Sequence, residues 1–584
     1  MMDQKNLLVA IVLSVAILFA FQYLFQLYKP ALPPSSQTSA QTTPPQPAAG
    51  ASNPSAAEAP ASGMAPAGAA SAASAETREA AIADQPRIKI DTPQLHGSVS
   101  LTGGRIDDLT LATYHETIDP KSPEVVLLWP TGTQDPYFAE FGWVGSTAGI
   151  KLPGAQTKWT ASGGPLSPGH PLVLTWENGE GLSFTRTISI DADYMFTIDD
   201  AVKNAGQEAI SLTPYGLISR TGTPPVSGYY ILFEGPIGFL ENGLQEVKYA
   251  SLTPDKPTDF SSTGGWLGFT DKYWLTALVP PQDATIKAQF RHAVDTNKVD
   301  RYQADYTGAP VNVPAGGSAS TSTRFFAGAK EVKLLDAYAD AGIPRFDRAI
   351  DFGWFYFLTK PIFLVLVFFH GLLGNFGLAI LLLTFLIKLA FFPLANKSYA
   401  AMSKMKLLQP EVAKVRERIP DDKAKQQQEI MALYKKVGAN PLAGCLPMVL
   451  QIPVFFSLYK VLFVTIEMRH APFYGWIHDL SAPDPTSFAN LFGVLPFDPV
   501  TVPVVGHFLL IGAWPLMMGI TMFLQQKLNP QPVDPVQARM FMFLPIVFTY
   551  MLSAFPAGLV IYWSWNNLLS IAQQWAIMHK RGAA

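Results

Sequence analysis

Residues 376–392 read FGLAILLLTFLIKLAFF, and the lysine at position 388 constrains this chain more than any other residue. With its flanks the run is long enough to cross a bilayer. A charge near the middle of a membrane helix costs about 2.5–3.5 kcal/mol on insertion scales, so such a residue normally faces a wet cavity or a partner. Snorkelling to the headgroups is the structural alternative. The next charge, Lys397, lies nine residues on, roughly 13 Å at the helical rise and beyond comfortable reach of a lysine stem. No Asp or Glu occurs in the run to pair with Lys388. A functional cation therefore ranks ahead of a snorkelling one.

Composition supports a membrane protein with a large soluble part. Charged residues make up 15% of the chain, against a usual value of about 25%. The net charge of −3 gives no general attraction to polyanions. The single cysteine, Cys445, excludes an internal disulfide and argues against a thiolate metal site. No GxSxG elbow, HExxH pair or phosphate loop is present. His96, His115, His170 and His292 lack ligand-like spacing. No catalytic residue, cofactor or metal is expected.

Five regions follow. Residues 1–29 are an apolar anchor, whose bulky Phe25 to Tyr28 replace the small residues that signal cleavage needs. Residues 30–85 are rich in Ala, Pro and Ser and cannot build a core. They form a tether with a reach of about 40 Å as flexible coil. Residues 86–343 alternate with a period of two, as at Ser183 to Ile190 and Ala284 to Phe290, with turns at Gly103-Gly104 and Asn204 to Gly206. That pattern predicts a large antiparallel β-sandwich. Residues 344–375 hold an aromatic stretch broken by Lys360-Pro361, which is either a full span or a helix lying along the outer membrane face. Residues 376–584 hold the remaining spans, at 376–396, 442–466, 507–527, 536–555 and 557–578, with a helical hairpin at 397–440.

Charge sets the orientation. Between Lys397 and Asn440 there are ten Lys or Arg and five acids, whereas Glu467 to Gly506 holds one Arg and four acids. The positive-inside rule places the first loop in the cytoplasm and the second outside. The fold class expected is a six-span α-helical membrane protein with a large all-β periplasmic domain, its two termini cytoplasmic. Parity then favours the interfacial reading of 344–375. The hairpin carries an apolar stripe through Met402, Met405, Leu408, Val412, Val415, Ile419, Ile430, Leu433 and Val437. Its basic outer face suits lipid headgroups or RNA, or is simply solvated.

Polar residues stack inside the apolar helices. Thr384 and Lys388 are four apart, as are Thr521 and Gln525, and Gln451 adds an amide. The last span carries Trp563, Asn566, Asn567, Ser570, Gln573 and Gln574 along one side. Single polar residues in a membrane are usually interhelical glue. A stripe repeated on several helices around a lysine suggests a water-filled concavity.

The segments NFGLAILLLTFLIKLAFFPLANKSYAAMSKMKLLQP, NPLAGCLPMVLQIPVFFSLYK, EMRHAPFYGWIHDLSAPDP and FPAGLVIYWSWNNLLSIAQQ resemble the YidC family of bacterial membrane protein insertases. Upstream, GWLGFTDKYWLTALVP and RFFAGAK resemble the outer domain of its Gram-negative members. The resemblance implies a periplasmic β-supersandwich, an interfacial helix, a cytoplasmic hairpin and a hydrophilic groove closed on the periplasmic side. The groove would be formed by Lys388, Thr384, Gln451, Gln525, Asn567, Ser570 and Gln574. Lys388 stands where many members have arginine, which keeps the charge without the planar fork. Clients would slide past Ile452, Pro453, Phe455, Phe548 and Met551. Expected partners are nascent membrane proteins, the Sec translocon with its accessory subunits, membrane lipids and the ribosome, the last weakened by a short tail after Lys580-Arg581. The location expected is the inner membrane. A solute transporter would need inverted repeats, which are not found. A tethered glycan-processing enzyme would need paired carboxylates in the sandwich.

Overall fold

The alternation read from the sequence becomes strand where one face is buried. A computed structural model describes residues 76–145, 149–226, 232–254, 256–295, 298–420, 422–438, 446–495, 499, 509–529 and 535–579. The expected anchor at 1–29 and most of the tether lie outside these. The strand Leu182–Ile190 alternates strictly between buried and half-buried positions, as its sequence predicts. The strand Ile106–His115 has both faces covered over its first six residues.

The strands form two antiparallel sheets. One has ten strands, running from Arg87–Asp91 through Leu95–Ser100, Ile106–His115, Tyr137–Gly145, Ile210–Thr221, Asp300–Thr307 and Thr285–Val294 to Thr258–Thr263, with two short strands off this path. The other has nine, with Trp274–Val279, Ser318–Ala329, Met195–Asn204 and Leu182–Ile190 at its centre. Phe141 and Phe325 meet edge to face across the gap at 6.0 Å. Arg186 is buried between the sheets and pairs with Asp200 at 2.7 Å. It also donates to the carbonyls of Gly104 at 3.1 Å and Phe141 at 2.6 Å, so its whole fork is partnered. That pairing is what makes a buried guanidinium tolerable.

Helix α1 (Arg78–Ala83) falls within the stretch read as tether. Arg78 is paired with Asp108 of the sandwich, and Asp108 also accepts from Ser98 at 2.6 Å. An arginine bonded to a nearly buried carboxylate fixes this helix against the sandwich, within the stretch expected to be tether.

After the sandwich come helices α2 (Val332–Asp340), α3 (Tyr356–Leu373), α4 (Phe376–Ala390), α5 (Phe392–Leu407), α6 (Gln409–Arg418), α7 (Lys423–Lys436), α8 (Leu446–Val464), α9 (Ala513–Leu528), α10 (Pro535–Leu552) and α11 (Ala557–His579). Lys360-Pro361 does not break α3. Pro361 lies inside α3, one turn beyond its start, and the helix continues through it at the loss of one backbone bond. Gly374, in the left-handed region at φ 67°, ends α3, and the Asn375 side chain caps α4 by accepting from Leu378 N at 3.1 Å. The expected span 376–396 bends by 67° between α4 and α5. Pro393 in the first turn of α5 explains the restart.

By length and composition, one described helix, α3, can cross a membrane, and the bent pair α4 and α5 makes a second if taken as one span. The helix read as interfacial is thus the one that passes this test, and six spans are not reproduced among the described residues. Two causes are visible. The polar stripe lowers the apolar character of α11, and the apolar stretches Gln451–Val464 and Ala538–Leu552 are short.

The hairpin is α6 against α7, closed by an Arg418–Glu429 ion pair. Val412 and Ile430 are its buried apolar positions. Met402 and Met405, assigned to it from the sequence, sit on α5 and pack instead with Tyr399 and Ile577.

The sandwich is bolted to the helices at one junction. Lys460 of α8 pairs with Asp351 at 2.8 Å, and Asp351 also accepts from Phe233 N of the sandwich. Arg469 donates to His115 O at 2.6 Å, and Lys272 lies over the Phe463 ring at 4.0 Å. Glu467 accepts from Val332 N at 3.0 Å, and its other oxygen is buried without a partner. Burial pushes the Glu467 carboxyl up to about 7, partly opposed by that backbone bond.

The folded state therefore holds a proton on Glu467 that the unfolded chain releases near pH 4–5. Stability contributed here falls as pH rises from about 4.5 to about 7, then levels. Each unit of that rise corresponds to about 1.4 kcal/mol. Glu467→Gln should raise thermal stability at pH 8 and flatten the profile between pH 5 and 8, measured by tryptophan fluorescence of the full chain in detergent. An unchanged slope would show that Glu467 is ionised in the fold.

Candidate functional site

The polar residues of α11 recur every four positions on one face, at Tyr562, Asn566, Ser570 and Gln574, as helical geometry requires. Each reaches a neighbour. The Gln451 amide of α8 donates to the Tyr562 hydroxyl, and Asn566 Nδ2 donates to the same oxygen at 3.3 Å. Lys388 Nζ of α4 donates to Ser570 Oγ at 2.7 Å, and Ser570 Oγ donates to Asn566 O at 2.8 Å. Gln574 Nε2 donates to Asn529 Oδ1, at the end of α9, at 3.1 Å. From the adjacent position, Asn567 Nδ2 donates to Thr521 Oγ1 of α9 at 3.2 Å. One face of α11 thus ties α8, α4 and α9 together.

Lys388 is half-buried, and no carboxylate lies within ion-pair distance of it among the described residues. Its side chain lines a cavity of about 300 Å³ with Phe385, Leu389, Phe392, Leu569, Gln573, Ala576 and Ile577. The Nε2 of Gln573 is buried there without a protein partner. The cavity has room for several waters, and Lys388 is the charged residue of its lining. Its walls are apolar, so a charge entering it meets a less screened cation than in bulk water.

Not every expected groove residue lines this cavity. Asn567, Ser570 and Gln574 are buried between helices, each at most 4% exposed, and act there as interhelical glue. Thr384 is buried and turns back to Ile380 O at 2.6 Å. Gln525 is half-buried on α9. The concavity that the stripe suggested is therefore confined to the side facing Lys388 and Gln573.

Two of the residues expected to form a client slide, Phe455 and Phe548, meet at Trp563. The Phe455 ring meets it at 4.7 Å and Phe548 at 5.9 Å. Ile452 and Met551 are exposed, and Pro453 is half-buried beside them. Trp563 and Ser570 share a face of α11 seven residues apart, about 10 Å along the axis. At Gly519 an added Cβ would lie 2.1 Å from Thr549 Oγ1, so glycine is what lets α9 and α10 approach.

Three contributors were missed from the sequence. Tyr562 and Trp565, whose Nε1 donates to Leu381 O at 3.1 Å, look like ordinary aromatic packing in a hydrophobic run. Gln573 stood in the stripe without being singled out for the site. Its position three residues beyond Ser570 is the signal that could have placed it next to Lys388.

A wet cavity predicts reactivity. In a Cys445→Ser background, Gln573→Cys should react with a bulky charged maleimide in nanodiscs much faster than Asn567→Cys, because thiolate formation needs water. Equal and slow labelling at both positions would show the cavity to be dry.

Comparison with known proteins covers the whole chain. The family described as YidC periplasmic domain matches residues 87–365, and the family described as 60Kd inner membrane protein matches residues 368–583. The membrane protein insertase YidC of Bradyrhizobium diazoefficiens is 54% identical, covering 100% of this chain and 97% of the relative. That of Methylobacterium radiotolerans is 52% identical over 99% of this chain and 95% of the relative. A solved structure of an active YidC insertase is 17% identical, with a TM-score of 0.36 over 84% of this chain.

Proposed function

The chain belongs to the YidC family of membrane protein insertases, and from that membership we propose that it moves hydrophobic segments of new proteins from the cytoplasm into the inner membrane past Lys388. The observation that carries this reading is the cavity beside Lys388, where the cation bonds to a neutral hydroxyl, has no carboxylate at ion-pair distance among the described residues, and keeps its attraction for an incoming charge. A client with a short acidic tail brings its carboxylates to this cavity. There the ammonium replaces part of the lost hydration, which lowers the cost of desolvating the tail. A membrane potential positive outside adds about 2.3 kcal/mol per carboxylate per 100 mV.

The apolar part of the client meets Ile452 and Phe455 of α8 and Phe548 and Met551 of α10, two of which pack on Trp563, about two turns of α11 from Ser570. That spacing lets one short segment present its polar tail to Lys388 and its apolar body to the slide. The topology we infer has six spans, the β-domain in the periplasm, α3 along the outer face and both termini in the cytoplasm. The basic loop 397–440 and the acidic loop 467–506 support that orientation. Nascent membrane proteins are the clients, with the Sec translocon, ribosomes and lipids as partners. No step needs a nucleotide or a metal.

The charge itself is the test. Lys388→Arg should insert a single-span client with an acidic tail at close to the wild-type rate in proteoliposomes. Lys388→Ala should slow the same client several-fold, with a smaller effect once the tail is neutralised. Wild-type insertion of the acidic client by the alanine variant would remove the electrostatic role of Lys388.

A further inference from the structure

The loop between α8 and α9 ends in a knuckle that turns its polarity inside out. Residues 485–497, PTSFANLFGVLPF, contain no charge. Within them Leu491 and Phe492 both lie in the left-handed region, at φ 51° and 58°, although neither is glycine. Consecutive bulky residues avoid that conformation because Cβ crowds the following carbonyl. It is held here by an inward set of backbone bonds. Phe492 N donates to Ser487 O at 2.7 Å, Leu495 N to Asn490 O at 3.0 Å, and Gly493 N to Asn490 Oδ1 at 3.0 Å. The apolar side chains are left outside. Val494 is 76% exposed, and Phe488, Leu491, Phe492 and Leu495 are each at least 40% exposed.

The position of the knuckle says what covers it. Phe488 N donates to Ile511 O at 3.0 Å and Ser487 Oγ to Leu509 O at 2.5 Å, immediately before α9. Asp484 accepts from Trp514 N at 2.9 Å and Thr486 Oγ1 from Ala513 N at 2.9 Å, which locks the loop to the first turn of α9. On the topology proposed above, on which this inference rests, the knuckle stands at the outer mouth of a helix whose Met517, Ile520 and Leu524 are themselves exposed and apolar. Trp476, bonded to Asp484 at 3.1 Å and 41% exposed, sits at the same level, as an aromatic residue at a membrane interface does.

We propose that the Leu491–Leu495 knuckle is a membrane-inserted tip that dips into the outer leaflet and seats the outer end of α9 in lipid. Its occupant is acyl chain rather than a protein groove. Among the described residues, 485–495 carry no charge to specify a partner, and the loop is bonded to the start of α9, whose own exposed face is apolar. The strained backbone is retained because it aims Leu491 and Phe492 outward together.

The test labels Val494→Cys, in a Cys445→Ser background, with an environment-sensitive fluorophore in liposomes of phosphatidylethanolamine and phosphatidylglycerol. The emission should be blue-shifted. A lipid spin-labelled near its headgroup should quench most of it, as expected at a depth of about 5–10 Å, and aqueous iodide should quench little. Strong iodide quenching without lipid quenching would put the tip in water and overturn the proposal. Protection from both quenchers would mean that protein covers the knuckle, and would overturn it equally. Insertion of an acidic client by the same variant, assayed in parallel, keeps this outcome separate from the role of Lys388.

Discussion

The membrane half of this molecule is arranged around the need to solvate one ammonium. Lys388 sits in an apolar helix with a serine hydroxyl 2.7 Å away and no carboxylate at ion-pair distance among the described residues. A neutral hydroxyl cannot discharge the cost of holding a cation there, and the adjoining cavity leaves room for water beside it. An acidic partner would cancel the attraction that a client's tail feels. Leaving the cation with neutral partners keeps it available, at the expense of local stability.

The face of α11 serves two purposes that pull in opposite directions. Its buried amides and hydroxyls tie α8, α4 and α9 into one bundle, which requires dry, well-directed bonds. Gln573 of the same helix and Lys388 of α4 instead line the cavity together. The structure separates the two by rotation around α11, with Asn567 and Gln574 turned into helix contacts and Gln573 turned to the cavity. The sandwich is joined at the other end of the bundle, where Lys460, Glu467 and Arg469 reach it within a few residues of the end of α8. Movement of α8 is thus mechanically connected to the periplasmic domain.

Much of this was legible in the sequence, and what was not had physical causes. Strand Leu182–Ile190 declared itself because one face is solvated. Strand Ile106–His115 did so only in part, because both of its faces are covered and alternation disappears. Lys388 was visible because charge in an apolar run is rare. Its partner Ser570 lay in the stripe, but periodicity gives a face and not the residue across from it. Pro361 misled because α3 runs on through it, and one sequence does not say which interior proline a helix will accommodate. Glu467 left no pattern at all. A lone acid becomes unusual only when burial raises its pKa, and burial is a property of the fold.

The central claim is that clients pass beside Lys388. Site-specific photo-crosslinking of a stalled nascent chain tests it most directly, with the photoreactive residue at Leu569 in the cavity wall and a control at the exposed Val294 of the sandwich. The account predicts strong capture of the client's tail region from Leu569 and none from Val294. Absence of capture at Leu569, from a protein that still inserts the client, would contradict it.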